Sequence, residues 1–327
     1  MRGDFFNKLK EAMQKDEKIF FLMGDTGFNL VEPLFEQFPE RTLNVGVAEQ
    51  NLIGIAAGLF NMGFKPVCYA ISNFLVHRCF EQIRNDLCIH NYPVVLVGTS
   101  TGFDNGALWA THYVVDDIGS LKALPNIRIY SPSSVESINS IFDEVMKSPN
   151  PSYVRITKSN FVEGKNIDEA NRFILRNDQS DILVISHGKM VKNSVEAEKL
   201  FPKFSIFAMD RIKPVDEQKL EKLFKKYKII IVIEDNFRSG LYSTVCQFAA
   251  ERRLHDTDLY SISPIEDFGT RVGDSTYLED KHGLSPKHIA SFASKLSTQK
   301  RNGKIRTKLK FRFKGKKASE NEDGEFY

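Results

Sequence analysis

The chain has 327 residues, which favours two domains, and its hydrophobic content of 42% is that of ordinary globular proteins. The formal net charge of +3 excludes a strong attraction of the whole chain to nucleic acid or membranes. No apolar run reaches the roughly 18 residues that a membrane-spanning helix needs. The four cysteines show no CxxC pair or metal-ligand spacing, which indicates buried free thiols. With no signal-peptide core at the N-terminus, we expect a cytoplasmic protein.

Apolar runs alternate with helical patterns over residues 1–160. In chain order we expect helix 3–16, strand 19–23, helix 51–62, strand 66–71, helix 80–89, strands 93–98 and 127–130, helix 134–147 and strand 153–156. This alternation predicts an α/β domain whose parallel sheet is covered on both faces.

A polar, mixed stretch at 161–180 is interpreted as a linker, and a second alternating block follows over 181–297. We expect strand 182–186, helix 194–200, strand 204–209, helix 217–227, strand 228–233, helix 241–251, strand 259–263 and helix 286–296. The sequence therefore predicts two consecutive doubly wound α/β domains with mostly parallel sheets. The turn at 234–241, between a strand and a helix, is interpreted as structural or as part of an interface.

The tail, 298–327, differs from the rest of the chain. Residues 300–317 contain ten Lys or Arg residues, and acidic residues follow them. This composition favours a solvated, flexible extension. The alternative is an electrostatic arm for a partner subunit or RNA, in which the alternating residues 308–314 add an edge strand to the partner.

The most informative motif is GVAEQNLIGIAAGL at residues 46–59, where a single carboxylate, Glu49, begins a helix of small residues. Small side chains allow another backbone or a flat ligand to come close. One interpretation is an acidic residue in the first helical turn, favoured by the helix dipole. The other is a carboxylate that exchanges a proton with a buried heterocycle.

This motif resembles the pyrimidine-domain signature of the transketolase family of thiamine diphosphate enzymes. In that family the glutamate hydrogen-bonds a nitrogen of the aminopyrimidine and favours the imino tautomer, which deprotonates the thiazolium carbon. The resemblance gives that role to Glu49. The segment 72–84 resembles the family's ring-stacking segment, which makes Phe74 and Arg78 candidates for the face of the cofactor.

The run Gly24-Asp25-Thr26-Gly27 resembles the start of the family's metal motif but lacks the downstream Asn pair. It fits the opening loop of the pyrimidine domain instead, which places Asp25 near the cofactor and leaves this chain without metal ligands. The resemblance thus implies a split enzyme. An N-terminal subunit supplies the diphosphate site and holds Mg²⁺ or Ca²⁺, thiamine diphosphate is shared, and the assembly is a dimer of heterodimers.

On the substrate side, the family's loop is matched at Thr111 and His112, so His112 is a candidate for proton transfer. The loop's acidic residues are replaced by Ala107 and Leu108, and Trp109 replaces a glycine. The pocket is therefore expected to be bulkier and to discriminate against sugar hydroxyls. At the end of strand 153–156 the family places an arginine on the substrate phosphate. Lys158 and Arg155 are the candidates here.

The resemblance implies transfer of a two-carbon ketol unit between phosphorylated or modified sugars. The alternatives are a β-type subunit of a 2-oxo acid dehydrogenase or a 1-deoxyxylulose-5-phosphate synthase-like enzyme. An alternative of another class is a non-catalytic partner that retained the fold.

Overall fold

The structure is a computed structural model that describes residues 2–158, 170–269 and 271–301, with side chains as far as residue 298. In its first part the strands are β1 (Ile19–Met23), β2 (Thr42–Asn44), β3 (Lys65–Ile71), β4 (Val95–Thr99), β5 (Arg128–Tyr130) and β6 (Ser152–Ile156). The helices are α1 (Arg2–Lys15), α2 (Glu32–Gln37), α3 (Glu49–Asn61), α4 (Phe80–Gln82), α5 (Asp117–Lys122) and α6 (Val135–Lys147). The α4 turn is flanked by π-helical turns, Phe74–Arg78 and Ile83–Ile89.

The second part continues the alternation. Its strands are β7 (Asn171–Leu175), β8 (Ile182–Ser186), β9 (Ser205–Met209), β10 (Arg211–Lys213), β11 (Ile229–Ile233) and β12 (Asp258–Ile262). Its helices are α7 (Lys189–Leu200), α8 (Glu217–Lys226), α9 (Leu241–Glu251), α10 (Ser275–Lys281) and α11 (Pro286–Arg301). No helix in the described ranges is long and apolar enough to cross a membrane.

Two sheets organise these elements. The seven-stranded sheet has the order β10-β5-β6-β4-β3-β1-β2 and is parallel except for β10, which pairs antiparallel with β5. The five-stranded sheet has the order β12-β11-β8-β9-β7, with only β7 antiparallel. Every residue of β4, β8 and β11 is buried, as expected for strands covered by helices on both faces. The predicted pair of doubly wound α/β domains is confirmed.

Helix α6 illustrates how the covering layer forms. Ser134 accepts a hydrogen bond from the Ser137 backbone and completes a capping box at its start. Its apolar residues recur with helical spacing, so one face is buried against the sheet. Phe142 on this face meets Phe5 of α1 edge to face, with ring centroids 5.4 Å apart. Helices α1 and α6 therefore cover one face together, while α3 packs on the other.

Several boundaries differ from the sequence predictions. The linker predicted at 161–180 is wrong in its second half, because residues 171–175 form β7 and pair with β9. The helix predicted over 80–89 is the end of a longer segment that begins with a π-helical turn at Phe74. The last helix continues to Arg301, into the predicted tail. The remainder of that tail, 302–327, lies outside the described residues.

Candidate active site

The carboxylate of Glu49 is buried in the first turn of α3. The helix begins after Ala48, which supplies no side-chain cap, and the helix dipole favours a negative charge in this turn. Only 4% of the Glu49 side chain is exposed. The end of β1 packs against it, since a Cβ built on Gly24 would lie 3.5 Å from Cγ of Glu49. The carboxylate thus lies at the carboxyl end of a parallel strand, where open α/β sheets bind ligands.

Arg78 connects Glu49 to the ring of Phe74. Its Nη1 donates a hydrogen bond of 3.0 Å to Oε2 of Glu49. Its Cζ lies 3.8 Å from the centroid of the Phe74 ring. Phe74 and Arg78 are the ends of one π-helical turn, and such turns are frequent at functional sites. The two residues predicted for the cofactor face therefore contact each other and the predicted carboxylate.

His112 joins this cluster from a separate loop. Its ring meets that of Phe74 edge to face, with centroids 5.2 Å apart. Asn73 Nδ2 donates to the carbonyl of Thr111 at 2.7 Å, which ties the loop to the π-helical turn. Thr111 Oγ1 lies 2.9 Å from Nδ1 of His112 and orients the imidazole. A continuous set of contacts therefore joins four residues that are distant in the sequence: Glu49, Arg78, Phe74 and His112.

Asp25 lies next to Gly24 but is itself exposed. Its φ of +48° is in the left-handed region, which Asp tolerates better than most residues. Its backbone N–H donates to Oδ1 of Asn44 at 3.2 Å, and Nδ2 of Asn44 donates back to the Asp25 carboxylate at 2.9 Å. Asn44 also accepts from the Gly46 backbone. Asn44 was missed by the sequence analysis, although it directly precedes the Glu49 motif.

The loop that carries His112 is fastened to the second domain. The indole N–H of Trp109 donates to the Gly269 carbonyl at 2.9 Å, and the Tyr113 hydroxyl donates to the Phe268 carbonyl at 2.7 Å. Trp109 has a φ of +64°, a backbone that favours the glycine it replaces in the family pattern. Its side chain remains 42% exposed. The two substituted aromatic residues thus act as anchors between domains.

Lys158, a substrate candidate, lies just beyond β6. Its backbone N–H and the Thr157 hydroxyl both donate to Oδ2 of Asp104, at 2.6 and 2.7 Å. Its ammonium donates to Oδ1 of Asn105 at 2.6 Å. Burial lowers the pKa of Lys158, and the charge of Asp104 opposes that shift. The side chain that accepts from the ammonium is thus a neutral amide.

Arg155, the other substrate candidate, is placed elsewhere. Its guanidinium is fully buried, and Nε donates to Asp117 at 2.7 Å while Nη1 donates to Asp235 at 2.9 Å. Burial lowers the pKa of Arg155, but the charges of Asp117 and Asp235 outweigh burial and raise it. The prediction that Arg155 binds substrate is therefore corrected: it joins the two domains from within the core.

A histidine–carboxylate pair that the sequence analysis missed lies in the same region. Nε2 of His77, in the π-helical turn, is 2.9 Å from Oδ1 of Asp116, just before α5. Burial lowers the pKa of His77, but the hydrogen bond to Asp116 and the charges of Asp116 and Asp117 raise it overall. No sequence signal joined these residues, because 39 positions separate them.

The cluster fits a flat heteroaromatic ring that carries a hydrogen-bonding nitrogen. Glu49 offers a buried carboxylate, Phe74 an aromatic face and His112 an imidazole beside that face. Across the part of the chain that the structure describes, no group of three His, Cys, Asp or Glu side chains is arranged to hold a metal ion. The residues present therefore suit the pyrimidine end of a cofactor such as thiamine diphosphate.

The family described as "Transketolase, pyrimidine binding domain" matches residues 1–163, and "Transketolase, C-terminal domain" matches residues 172–289. The fold and the site thus define a transferase of the thiamine diphosphate-dependent, transketolase type. The chain belongs to the transketolase family, as the Glu49 motif predicted. Its two domains are those of the C-terminal subunit of a split transketolase.

Relatives support the split arrangement. One of the two subunits of the apulose-4-phosphate transketolase of Actinobacillus succinogenes is 31% identical over 277 residues, 82% of this chain and 88% of that protein. The 6-deoxy-6-sulfo-D-fructose transketolase subunit SqwH of Clostridium sp. is 26% identical, covering 92% and 95% of the two chains. By contrast, 1-deoxy-D-xylulose-5-phosphate synthase of Rhodopirellula baltica is 26% identical and is covered over only 46% of its length.

Solved structures agree. A split-gene transketolase, described as an inactive beta4 tetramer, has a TM-score of 0.79 and 26% identity, with 91% of this chain and 97% of that chain covered. The transketolase of Leishmania mexicana has a TM-score of 0.76 at 17% identity, with 91% of this chain and 45% of that chain covered, which shows the shared fold alone.

Proposed function

We propose that this chain is the C-terminal subunit of a split transketolase that transfers a two-carbon ketol unit between sugar phosphates or related modified sugars. The continuous cluster of Glu49, Arg78, Phe74 and His112 is the observation that carries the proposal. It places a carboxylate, an aromatic face and a proton-transferring imidazole around one position. Similarity to single subunits of split transketolases, over nearly the whole length of those subunits, supports the same assignment.

Each residue has a distinct task in this proposal. Thiamine diphosphate supplies the carbanion chemistry when bound. Glu49 accepts a hydrogen bond from a ring nitrogen and holds the proton exchanged there, in a position shielded from water. Phe74 provides the stacking face. His112, oriented by Thr111, donates or accepts a proton at the oxygen of the reacting sugar.

The substrate side favours a phosphorylated or otherwise anionic sugar. Lys158 lies beyond a strand of the same sheet and is hydrogen-bonded through its ammonium to Asn105. A lysine binds an anionic group as a point charge, without the bidentate geometry of arginine. The loop around Trp109 lacks the family's acidic residues, which supports selection against some hydroxylated sugars. Two relatives named for unusual sugars, apulose 4-phosphate and 6-deoxy-6-sulfofructose, are consistent with such a specialised substrate.

A partner subunit completes the site in this proposal. The N-terminal subunit binds the diphosphate through Mg²⁺ or Ca²⁺, and two copies of each subunit form a dimer of heterodimers. The solved split-gene relative, an inactive tetramer of β chains, supports the view that this subunit needs its partner for turnover.

Calorimetry with thiamine diphosphate and Mg²⁺ tests the proposal on the chain alone, on a candidate N-terminal subunit alone and on their mixture. We expect tight binding in the mixture only, followed by ketol transfer in a screen of phosphorylated ketoses. Decarboxylation of a 2-oxo acid by the mixture would instead support the dehydrogenase-type or synthase-like alternative. A mixture that assembles but binds no cofactor would favour the non-catalytic alternative.

A further inference from the structure

The guanidinium of Arg78 makes two contacts that a flat heteroaromatic ring would also need. It lies over the face of Phe74 at 3.8 Å from the ring centroid, and it donates to the Glu49 carboxylate at 3.0 Å. A guanidinium is planar, stacks on aromatic faces and presents N–H donors at its edge. An aminopyrimidine bound to the same two residues would likewise stack on Phe74 and hydrogen-bond Glu49. The two groups therefore have overlapping requirements.

The side chain of Arg78 can leave this position without a change of fold. Gln50 Nε2 donates to the backbone carbonyl of Arg78 at 2.8 Å, which anchors the π-helical turn to α3. Glu49 is 4% exposed, whereas the Arg78 side chain is 46% exposed. A change of rotamer is thus enough to carry the guanidinium into solvent, while Glu49 and Phe74 stay in place.

We propose that Arg78 competes with the aminopyrimidine ring for Glu49 and Phe74, and that this competition sets the affinity and the rate of cofactor loading. The inference rests on the proposed function and changes the role that the family resemblance gives to Arg78. Arg78 is an affinity-determining residue that holds the site closed until the cofactor displaces it. It also keeps the Glu49 carboxylate paired before loading, since a buried carboxylate without a partner is costly.

The two roles of Arg78 differ in the sign of one measurement. If Arg78 helped to hold the pyrimidine, its removal would weaken cofactor binding. If Arg78 competes with the pyrimidine, its removal strengthens binding, because a cation–π contact and a charge-assisted hydrogen bond no longer have to be broken. The direction of the change in Kd therefore decides between the roles.

The test compares the wild type, Arg78→Ala and Arg78→Lys, each mixed with the N-terminal subunit. Calorimetry gives the Kd for thiamine diphosphate, and stopped-flow fluorescence gives the association rate. We expect Arg78→Ala to lower the Kd about tenfold and to raise the association rate. Arg78→Lys, which keeps the charge but not the planar stack, should fall between the two. Arg84→Ala is the matched control, since Arg84 is an exposed arginine in the next π-helical turn, hydrogen-bonded to its neighbour Asn85.

A higher or unchanged Kd in Arg78→Ala overturns this inference and leaves the proposed function intact. An equal effect in Arg84→Ala also overturns it, because the loss of any nearby positive charge would then suffice. Absence of binding in the wild type and in both Arg78 variants, with subunit assembly preserved, overturns the proposed function and this inference together. As a readout independent of the diphosphate site, the fragment 4-amino-5-hydroxymethyl-2-methylpyrimidine should bind Arg78→Ala more tightly than the wild-type chain.

Discussion

Arg155 of the first domain and Asp235 of the second form a buried ion pair with an N–O distance of 2.9 Å. The same guanidinium binds Asp117 at 2.7 Å, and Asn236 donates to the other oxygen of Asp117. The carboxyl ends of β6 and β11 are thus joined through one buried network. Because the loop that carries His112 is also bonded to the second domain, this network fixes the frame in which the candidate site is built.

Removal of this ion pair should destabilise the protein strongly. We expect Arg155→Met to lower the free energy of unfolding by about 3–5 kcal/mol, because two carboxylates would stay buried without their cation. Urea unfolding measures the loss. Arg176→Met is the control, since Arg176 pairs with Asp178 on an exposed surface and its loss should cost no more than about 0.5 kcal/mol. Equal losses in the two variants would contradict a structural role for Arg155.

Glu49→Gln should abolish turnover in the assembled enzyme and leave the fold intact. The amide keeps the shape of the side chain but cannot hold the exchanged proton, so we expect kcat to fall at least about 100-fold. Steady-state kinetics and the thermal unfolding midpoint check the two parts of this prediction. Glu81→Gln, on the exposed side of the short α4 turn, is the matched control. Normal activity in Glu49→Gln would exclude the proposed mechanism.

Trp109→Gly should widen the range of donor sugars. Glycine adopts a φ of +64° without strain, and the substitution removes both the bulk of the indole and its hydrogen bond to Gly269. Trp109→Phe keeps most of the bulk and loses only the N–H donor, which separates the two effects. Relative kcat/KM values for a panel of ketose phosphates measure the outcome. An unchanged profile in Trp109→Gly would show that this side chain does not line the substrate pocket.

His187, buried at the domain junction, should make stability depend on pH. Burial and the charge of Arg155 lower its pKa to about 4 from an ordinary value of 6.5, while Asp235 and Asp117 act in the opposite direction. Between pH 6.5 and about 4 the unfolded chain binds a proton that the folded chain excludes. The free energy of unfolding therefore falls as the pH falls through this window, by up to about 3 kcal/mol.

Urea unfolding at pH 7 and pH 5 checks this dependence on pH. His187→Gln should lose less stability between the two values than the wild type does. Replacement of the exposed His255 by Gln should leave the wild-type slope unchanged. The same slope in all three proteins would assign the pH dependence to other groups.

Local sequence patterns predicted the secondary structure well wherever the pattern was itself local. The strand at 182–186 and the helix at 241–251 have the predicted bounds, because a continuous apolar run and a Gly-started helix need no distant partner. The π-helical turn at Phe74–Arg78 was missed, since its extra residue per turn leaves no distinct apolar period. Strand β10 was missed because three residues carry too little pattern, and only pairing with β5 makes them a strand.

The sequence by itself determined the class of fold, the family and the candidate carboxylate, because the apolar periodicity and the Glu49 motif are contained in short stretches of chain. It could not assign Arg155, whose position at a strand end suits a phosphate ligand until Asp117 and Asp235 are brought to it from 38 and 80 residues away. Nor could it show that Arg78 covers Phe74 and binds Glu49. Such contacts depend on which distant side chains share one buried volume, and only the packing of the tertiary structure decides that.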